Sequence, residues 1–223
     1  AERELRTAPV FEPPPGVWDA FSAKFPYQET DDQMNAIADV TSDLTSGRPM
    51  DRLVCGDVGF GKTEIAMRAA FLASIAGFQV AVIAPTTLLV RQHTKSFLDR
   101  FRGLPVEIRQ LSRFVSKKEA EKTRDDIQRG NVDIVVGTHA LLAKSIKFKN
   151  LGLLVIDEEQ HFGVQHKERL KLLRSDIHVL TLTATPIPRT LQLSLTGVRD
   201  LSIIATPPVD RLAIRTFISE FDT

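Results

Sequence analysis

The chain has 223 residues, a length that fits one large α/β domain with a buried core and is short for two. Lys and Arg number 29 against 28 Asp and Glu, so the net charge of +1 gives no sign of nucleic-acid binding, which would need local segregation of charge. The single cysteine, Cys55, excludes an intramolecular disulfide and a cysteine-based zinc site, and its apolar neighbours predict a buried, unreactive thiol. No apolar run is long enough to span a membrane and none resembles a signal peptide, so we expect a cytoplasmic protein.

The N-terminal residues 1–24 are rich in proline and predict a linker that leads into the domain, with a short helix around 17–24. Thr30 is the predicted N-cap of a helix that runs to about Ser46 and ends at Gly47. Because the chain begins without methionine, we expect it to be a fragment of a longer protein.

Short apolar runs, most of them separated by helical stretches, follow along the rest of the chain. They lie at 52–55, 80–84, 106–111, 132–136, 151–156 and 178–182, and 200–204 is a candidate for a last strand. Runs that are apolar on both faces are typical of a parallel sheet covered by helices. The pattern predicts an α/β fold: a doubly wound, mostly parallel sheet with helices on both faces.

A complete phosphate-binding loop stands between the first of these strands and a helix. It reads Gly56, Asp57, Val58, Gly59, Phe60, Gly61, Lys62, Thr63, which matches the Walker A pattern G-x-x-x-x-G-K-[ST] at every position. Glycines allow backbone N–H groups to face the phosphates, Lys62 supplies a charge for the β- and γ-phosphates, and the Thr63 hydroxyl is a predicted Mg²⁺ ligand. The alternative is a glycine-rich turn that matches by chance.

An acidic cluster ends the apolar run 153–156 and predicts the second half of an ATP-hydrolysing site. Asp157 is the predicted Mg²⁺ ligand, and Glu158 is the candidate general base for the attacking water. Carboxylates that favour a helix N-terminus would also explain this cluster. Together the two elements predict a RecA-like P-loop NTPase domain over residues 25–205 that uses ATP and Mg²⁺, followed by an exit hinge at 206–223.

Further segments resemble the motifs of superfamily 2 helicases. Phe25, Thr30 and Gln33 resemble the Q motif, in which an aromatic ring stacks on adenine and an amide pairs with its edge, although Phe25 is also explained as a core residue. The resemblance implies DNA-binding or coupling roles for loops that follow strand ends. The residues concerned are Thr86, Arg113, Thr138, His139, Gln160, Thr183 and Thr185. Hydroxyls and helix N-termini in such loops hold backbone phosphates without reading sequence; Arg91, Lys117, Lys144 and Lys147 are explained equally well as a solvated face.

The segments that begin at Asp51, Asp157 and Thr183 closely resemble the family of bacterial transcription-repair coupling factors. That resemblance covers residues 25–223 and corresponds to the first of two motor lobes. It implies translocation on double-stranded DNA, displacement of stalled RNA polymerase, and recruitment of excision-repair proteins through modules outside this chain. A second RecA-like lobe would supply an arginine finger.

Alternatives to this family remain open at the level of sequence. The RecG branch-migration helicases are the nearest alternative, but they usually have serine at the position of Phe60. His161 departs from the family, in which we expect arginine at this position. A nucleotide-binding module without hydrolysis and a small-molecule kinase are further candidates, although no lid or acceptor site for a kinase is visible.

Overall fold

A computed structural model describes residues 6–159, 170, 176–184 and 199–208. Its described part contains one seven-stranded sheet in which every pairing is parallel, with the order β3-β4-β2-β5-β6-β1-β7. The strands are β1 (Asp51–Gly56), β2 (Gln79–Ile83), β3 (Ile108–Leu111), β4 (Ile134–Gly137), β5 (Leu151–Asp157), β6 (His178–Thr183) and β7 (Asp200–Ile204). The seven predicted strands are confirmed. The strand predicted from residue 106 begins at Ile108, because the N–H of Val106 closes a tight turn onto the carbonyl of Leu104.

Three of the five α-helices begin at a threonine or serine that caps them, and the other two begin at a glycine. They are α1 (Val17–Ala23), α2 (Asp31–Thr45), α3 (Lys62–Ile75), α4 (Thr87–Arg100) and α5 (Lys117–Arg129), together with a short 3-10 helix (His139–Leu142). Thr30 caps α2 as predicted, in a capping box with Gln33, and Gly47 follows the end of α2 with a positive φ of 72°. Among the described residues, no helix is long and apolar enough to cross a membrane.

Both faces of the sheet are buried, as a doubly wound fold requires. In β2, Val80 and Val82 belong to one hydrophobic cluster, whereas Ala81 and Ile83 belong to a second cluster on the opposite face. Side chains of α2, α3 and α4 pack into the first cluster, and α5 contributes to the second. The predicted fold class is therefore confirmed.

The proline-rich N-terminal segment packs against the domain. Phe11 and Phe21 are fully buried, and the Phe11 ring lies 5.0 Å from that of His178. The Nε2–H group of His178 donates to the carbonyl of Pro9. This part of the predicted linker thus contributes to the core, because its apolar residues between the prolines find a hydrophobic surface. Of the predicted exit hinge, residues 209–223 lie outside the described residues.

Candidate nucleotide and nucleic-acid site

The carboxyl edge of the sheet carries most of the residues predicted to be functional. Because all seven strands are parallel, their carboxyl ends lie at one edge, where ligands of open α/β sheets bind. The neighbouring strands β5, β6 and β1 lead to Asp157, Thr183 and the phosphate loop. The neighbouring strands β3, β4 and β2 lead to Arg113, Thr138 and Thr86. The edge is therefore divided into two adjacent halves.

The phosphate loop has the backbone conformation that its sequence predicts. Gly59 and Gly61 have φ angles of 82° and 80°, in the left-handed region that glycine tolerates. Gly61 is the N-cap of α3, and no side chain caps this helix N-terminus, whereas Thr30, Thr86 and Ser116 cap α2, α4 and α5. Backbone N–H groups at the start of α3 are thus left for an anion.

Lys62 lies across the loop that it follows. Its Nζ donates to the carbonyls of Gly56 and Asp57 at 2.5 and 2.9 Å. Burial lowers the pKa of Lys62, and the nearby carboxylates Glu158, Asp157 and Asp57 oppose this shift. The ammonium group therefore lies among the acids that the sequence assigned to the same site.

The predicted state of the cysteine is confirmed. Cys55 is a free, buried thiol at the end of β1, one residue before the loop. Burial raises its pKa, and the positive charge of Lys62 only partly opposes this effect. A protonated thiol in such a position packs as a small apolar side chain.

Gln33 joins the N-terminus of α2 to the phosphate loop. Its Nε2 donates to the carbonyl of Phe60 at 2.9 Å, and its Oε1 accepts from the N–H of Thr30 at 2.9 Å. A Cβ atom on Gly61 would lie 2.3 Å from Nε2, so the loop approaches the amide too closely for any side chain. Both ends of the amide bond protein groups, and its contact with adenine stays a prediction.

Phe25, the second predicted adenine contact, is half-buried. Its ring packs edge-on against Tyr27 with centroids 5.5 Å apart, and the Arg68 guanidinium lies 5.8 Å from its centroid. Tyr27 is exposed over 57% of its surface, so an aromatic surface is exposed next to Phe25. Stacking of Phe25 on adenine stays a prediction.

Asp157 is held by a residue that sequence reasoning did not find. His93, on α4, contacts the carboxylate, with 2.8 Å between Nε2 and Oδ2. The two side chains are only 11% and 16% exposed. An ionised carboxylate only accepts hydrogen bonds, so Nε2 carries the hydrogen.

Glu158 has a strained backbone and a direct link to the loop after β6. It is the one non-glycine residue with a positive φ (57°) among the described residues. Its Oε1 accepts from the N–H of Ala184 at 2.8 Å, and its own N–H donates to the carbonyl of Leu182 at 2.9 Å. The Thr183 hydroxyl lies 3.4 Å from Oε2. The structure thus brings the candidate base and the predicted coupling segment together.

The residues at this edge fit a nucleoside triphosphate with Mg²⁺. Positive-φ glycines, an uncapped helix N-terminus and a buried lysine provide the phosphate cradle. Asp157 is the last residue of β5, and Thr63 lies in the first turn of α3. Within the described ranges no group of three His, Cys, Asp or Glu could hold a metal ion alone.

The predicted DNA-binding residues of the other half line one cavity of about 850 Å³. Thr86, Arg113, Thr138 and His139 all contribute to it, together with Lys117, Glu121 and Arg124. Thr86 and Thr138 also cap the helices that follow them, accepting from Leu89 N and Ala140 N. Helix N-termini, hydroxyls and three cations surround a space large enough for a phosphate backbone.

Sequence reasoning missed Arg124 and left Lys117 undecided. The two residues are seven apart on α5, and they line the cavity with Ala120 and Glu121. Spacing of i, i+3, i+4 and i+7 marks one helical face, so this periodicity is the sequence signal that could have identified them. Lys144 and Lys147 are not among the residues that line this cavity.

A buried ion-pair network supports the first helix of the nucleotide site. Glu64 directly follows Thr63 and accepts from Arg100 Nε and Nη2 at 2.9 and 2.7 Å, and from Arg68 Nε at 2.9 Å. Arg68 also pairs with Glu29. Another buried guanidinium, that of Arg199, pairs with Asp51 and with Glu159, which follows Glu158. Neither network was predicted, because every pair except Glu64–Arg68 joins residues far apart in the sequence.

Three positions singled out in the sequence lie outside the described residues. They are Gln160, His161 and Thr185. Their predicted roles stay predictions.

Comparison with known proteins identifies the family to which this chain belongs. A model described as DEAD/DEAH box helicase matches residues 30–194. Proteins named transcription-repair-coupling factor from Rickettsia bellii and Escherichia coli are 54% and 53% identical over all of this chain, which covers 20% and 19% of them. The chain thus spans about a fifth of the length of these relatives. The structure of RecG bound to a three-way DNA junction aligns with a TM-score of 0.81 and 32% identity, covering 96% of this chain and 28% of that one.

Proposed function

Because this chain belongs to the DEAD/DEAH box helicase family, we propose that it is the ATP-binding motor lobe of an ATP-dependent double-stranded DNA translocase. The observation that carries the proposal is the division of the carboxyl edge. Three adjacent strands, β5, β6 and β1, end in nucleotide-binding chemistry, and the next three, β2, β4 and β3, end in a cationic cavity. Such adjacency suits a motor, in which hydrolysis at one site has to change the grip on the other.

The nucleotide half provides a role for each of its residues. The loop from Gly56 to Thr63 and the start of α3 bind the phosphates, with Lys62 adding charge. Thr63 and Asp157 would hold Mg²⁺, which when bound neutralises charge on the β- and γ-phosphate oxygens. Glu158 would accept the proton of the attacking water after exchanging its bond to Ala184.

The cationic half suits a nucleic-acid backbone better than base edges. Arg113, Lys117 and Arg124 supply charge to the cavity, and Thr86 and Thr138 supply hydroxyls and helix N-termini. Contacts of this kind position a strand without reading its sequence, and they weaken as salt rises. Double-stranded DNA is therefore the proposed track, bound without sequence preference.

In the longer protein, we propose that this motor displaces stalled RNA polymerase and couples transcription to nucleotide excision repair. The support is that the whole chain is 53–54% identical to proteins named transcription-repair-coupling factor, whereas it is 32% identical to RecG. A RecG-like fork-remodelling lobe is the second candidate, favoured by the TM-score of 0.81 to a junction-bound RecG. Polymerase and repair proteins would bind modules outside these residues.

The isolated lobe is expected to bind ATP–Mg²⁺ and to hydrolyse it very slowly. The arginine finger of two-lobed motors comes from the second lobe, and such a finger accelerates phosphoryl transfer by about 10³–10⁵. A loss of about 10³ corresponds to roughly 4 kcal/mol of transition-state stabilisation.

Calorimetry with ATP–Mg²⁺ and phosphate-release assays on this chain and on the longer protein test the proposal. We expect Lys62→Ala to abolish nucleotide binding by the chain, and Glu158→Gln to retain binding while turnover by the longer protein collapses. Duplex DNA should stimulate the longer protein only. Unchanged affinity in Lys62→Ala, or brisk turnover by the lobe alone, would contradict these assignments. Assays for displacement of a stalled polymerase and for fork reversal separate the two candidate functions.

A further inference from the structure

Helix α4 touches three functional regions at intervals of seven residues. Its N-cap Thr86 lines the cationic cavity, His93 contacts Asp157, and Arg100 pairs with Glu64. Seven residues make almost two turns of an α-helix, with a drift of only about 20°, so His93 and Arg100 lie along one face, and Thr86 immediately precedes the first turn. One rigid element therefore contacts the cavity, the magnesium carboxylate and the helix of the phosphate loop.

The contact between His93 and Asp157 is built to fix the carboxylate. The hydrogen bond measures 2.8 Å, both side chains are largely buried, and only one carboxylate oxygen is used. A hydrogen bond in this setting restricts rotation of the carboxylate, and partners of ligating carboxylates orient the ligand in the same way. The order of the strands explains why His93 lies within contact distance of Asp157. Helix α4 follows β2 in the chain, and β2 pairs directly with β5, which ends in Asp157.

Packing holds α4 as one rigid unit, so a displacement of the helix at its N-terminus also moves His93. Val90, Thr94 and Phe97 are buried along the helix, and the last turn is tied to α3 through Arg100. Thr86 and His93 are separated by about 10 Å along the axis, since each residue rises 1.5 Å. Packed helices shift as units rather than deform.

We propose that His93 is a positioning residue for Asp157, and that α4 thereby links occupancy of the cationic cavity to magnesium-dependent nucleotide binding. The inference rests on the proposed function, since it assumes an ATP–Mg²⁺ site at Asp157 and a phosphate backbone in the cavity. It assigns the link to a side chain on α4, separate from the contact between Glu158 and the loop after β6.

Nucleotide binding with and without Mg²⁺ tests the positioning role. The probe is the non-hydrolysable analogue adenosine 5′-(β,γ-imido)triphosphate, titrated into the chain by calorimetry. Removing such a partner typically lowers metal affinity about 10- to 100-fold, so His93→Ala should reduce the gain in affinity from Mg²⁺ by about tenfold. His93→Gln should restore much of it, because its amide N–H can donate to the carboxylate. Gln92→Ala, at an exposed position on the same helix, is the matched control and should behave as wild type.

The outcomes distinguish this inference from the proposed function. A His93→Ala variant that melts lower but keeps the full magnesium gain has lost packing only, which overturns the positioning role. Wild-type chain that binds the analogue equally with and without Mg²⁺ contradicts the proposed nucleotide site itself.

Thermodynamic linkage tests the connection through α4. At low salt, a short duplex DNA should change the affinity of the wild-type chain for the magnesium-bound analogue by about fivefold, and the analogue should change DNA affinity by the same factor. We expect His93→Ala to bind the duplex normally and to lose most of this mutual effect. Equal linkage in wild type and His93→Ala, or none in wild type, overturns the role of α4 as the connection.

Discussion

Removing the charge of Glu64 should destabilise the lobe far more than removing the charge of a comparable surface carboxylate. Glu64 accepts from two guanidinium groups, those of Arg68 and Arg100, and the three side chains are only 6–8% exposed. The Arg100 guanidinium also lies 3.8 Å from the centroid of the Phe21 ring. Glu64→Gln keeps the volume but leaves two buried cations without their shared anion. Breaking a buried pair in this way costs about 3–5 kcal/mol.

Thermal unfolding followed by circular dichroism measures this effect. For a domain of this size, each kcal/mol lowers Tm by about 2–4 °C, so a loss of about 3 kcal/mol predicts a decrease of roughly 6–12 °C. The control is Asp99→Asn, which removes the charge from the Asp99–Arg102 pair, where the side chains are 53% and 80% exposed. Exposed pairs contribute about 0–1 kcal/mol, so this variant should unfold within about 4 °C of wild type. Equal shifts in the two variants would refute the assignment of the Glu64 network as buried and cooperative.

Two further predictions concern the loop and the core histidine. Gly61→Ala should abolish ATP binding in calorimetry, because its Cβ would lie 2.3 Å from Nε2 of Gln33 at a φ of 80°, whereas Gly77→Ala, with nothing within 4 Å of its Cβ, should bind normally. His178 is neutral in the fold, since Nδ1 accepts from Met50 N, Nε2–H donates to Pro9, and burial lowers its pKa. The unfolded chain therefore binds the extra proton first, so unfolding free energy should fall as pH drops below about 6.5, and His178→Gln should remove that dependence in pH-resolved denaturant titrations.

Local chemistry explains why the phosphate loop and the acidic strand end could be predicted. Gly61 is required by the backbone of the loop itself, and Asp157 follows a strand whose four apolar residues are visible in the sequence. His93, in contrast, meets Asp157 only because β2 and β5 are neighbours, and no short-range pattern encodes that strand order. The burial of Phe11 depended in the same way on where the chain crosses the finished sheet. The phosphate loop and the acidic strand end could be predicted from local sequence, whereas the contacts of His93 and Phe11 depend on residues far away in the chain.

The position of β6 explains why the candidate base is linked to the segment after that strand. Because β6 lies between β1 and β5, its carboxyl end and the following Ala184 lie between the phosphate loop and the acidic strand end. Glu158 occupies the left-handed region, a conformation that costs a non-glycine residue about 1–3 kcal/mol. The hydrogen bond from its own N–H to the carbonyl of Leu182 and the one that its carboxylate accepts from Ala184 N–H offset that cost, since each contributes about 1 kcal/mol. A displacement of Ala184 that withdraws its N–H would therefore remove one restraint on the carboxylate of Glu158, the candidate base.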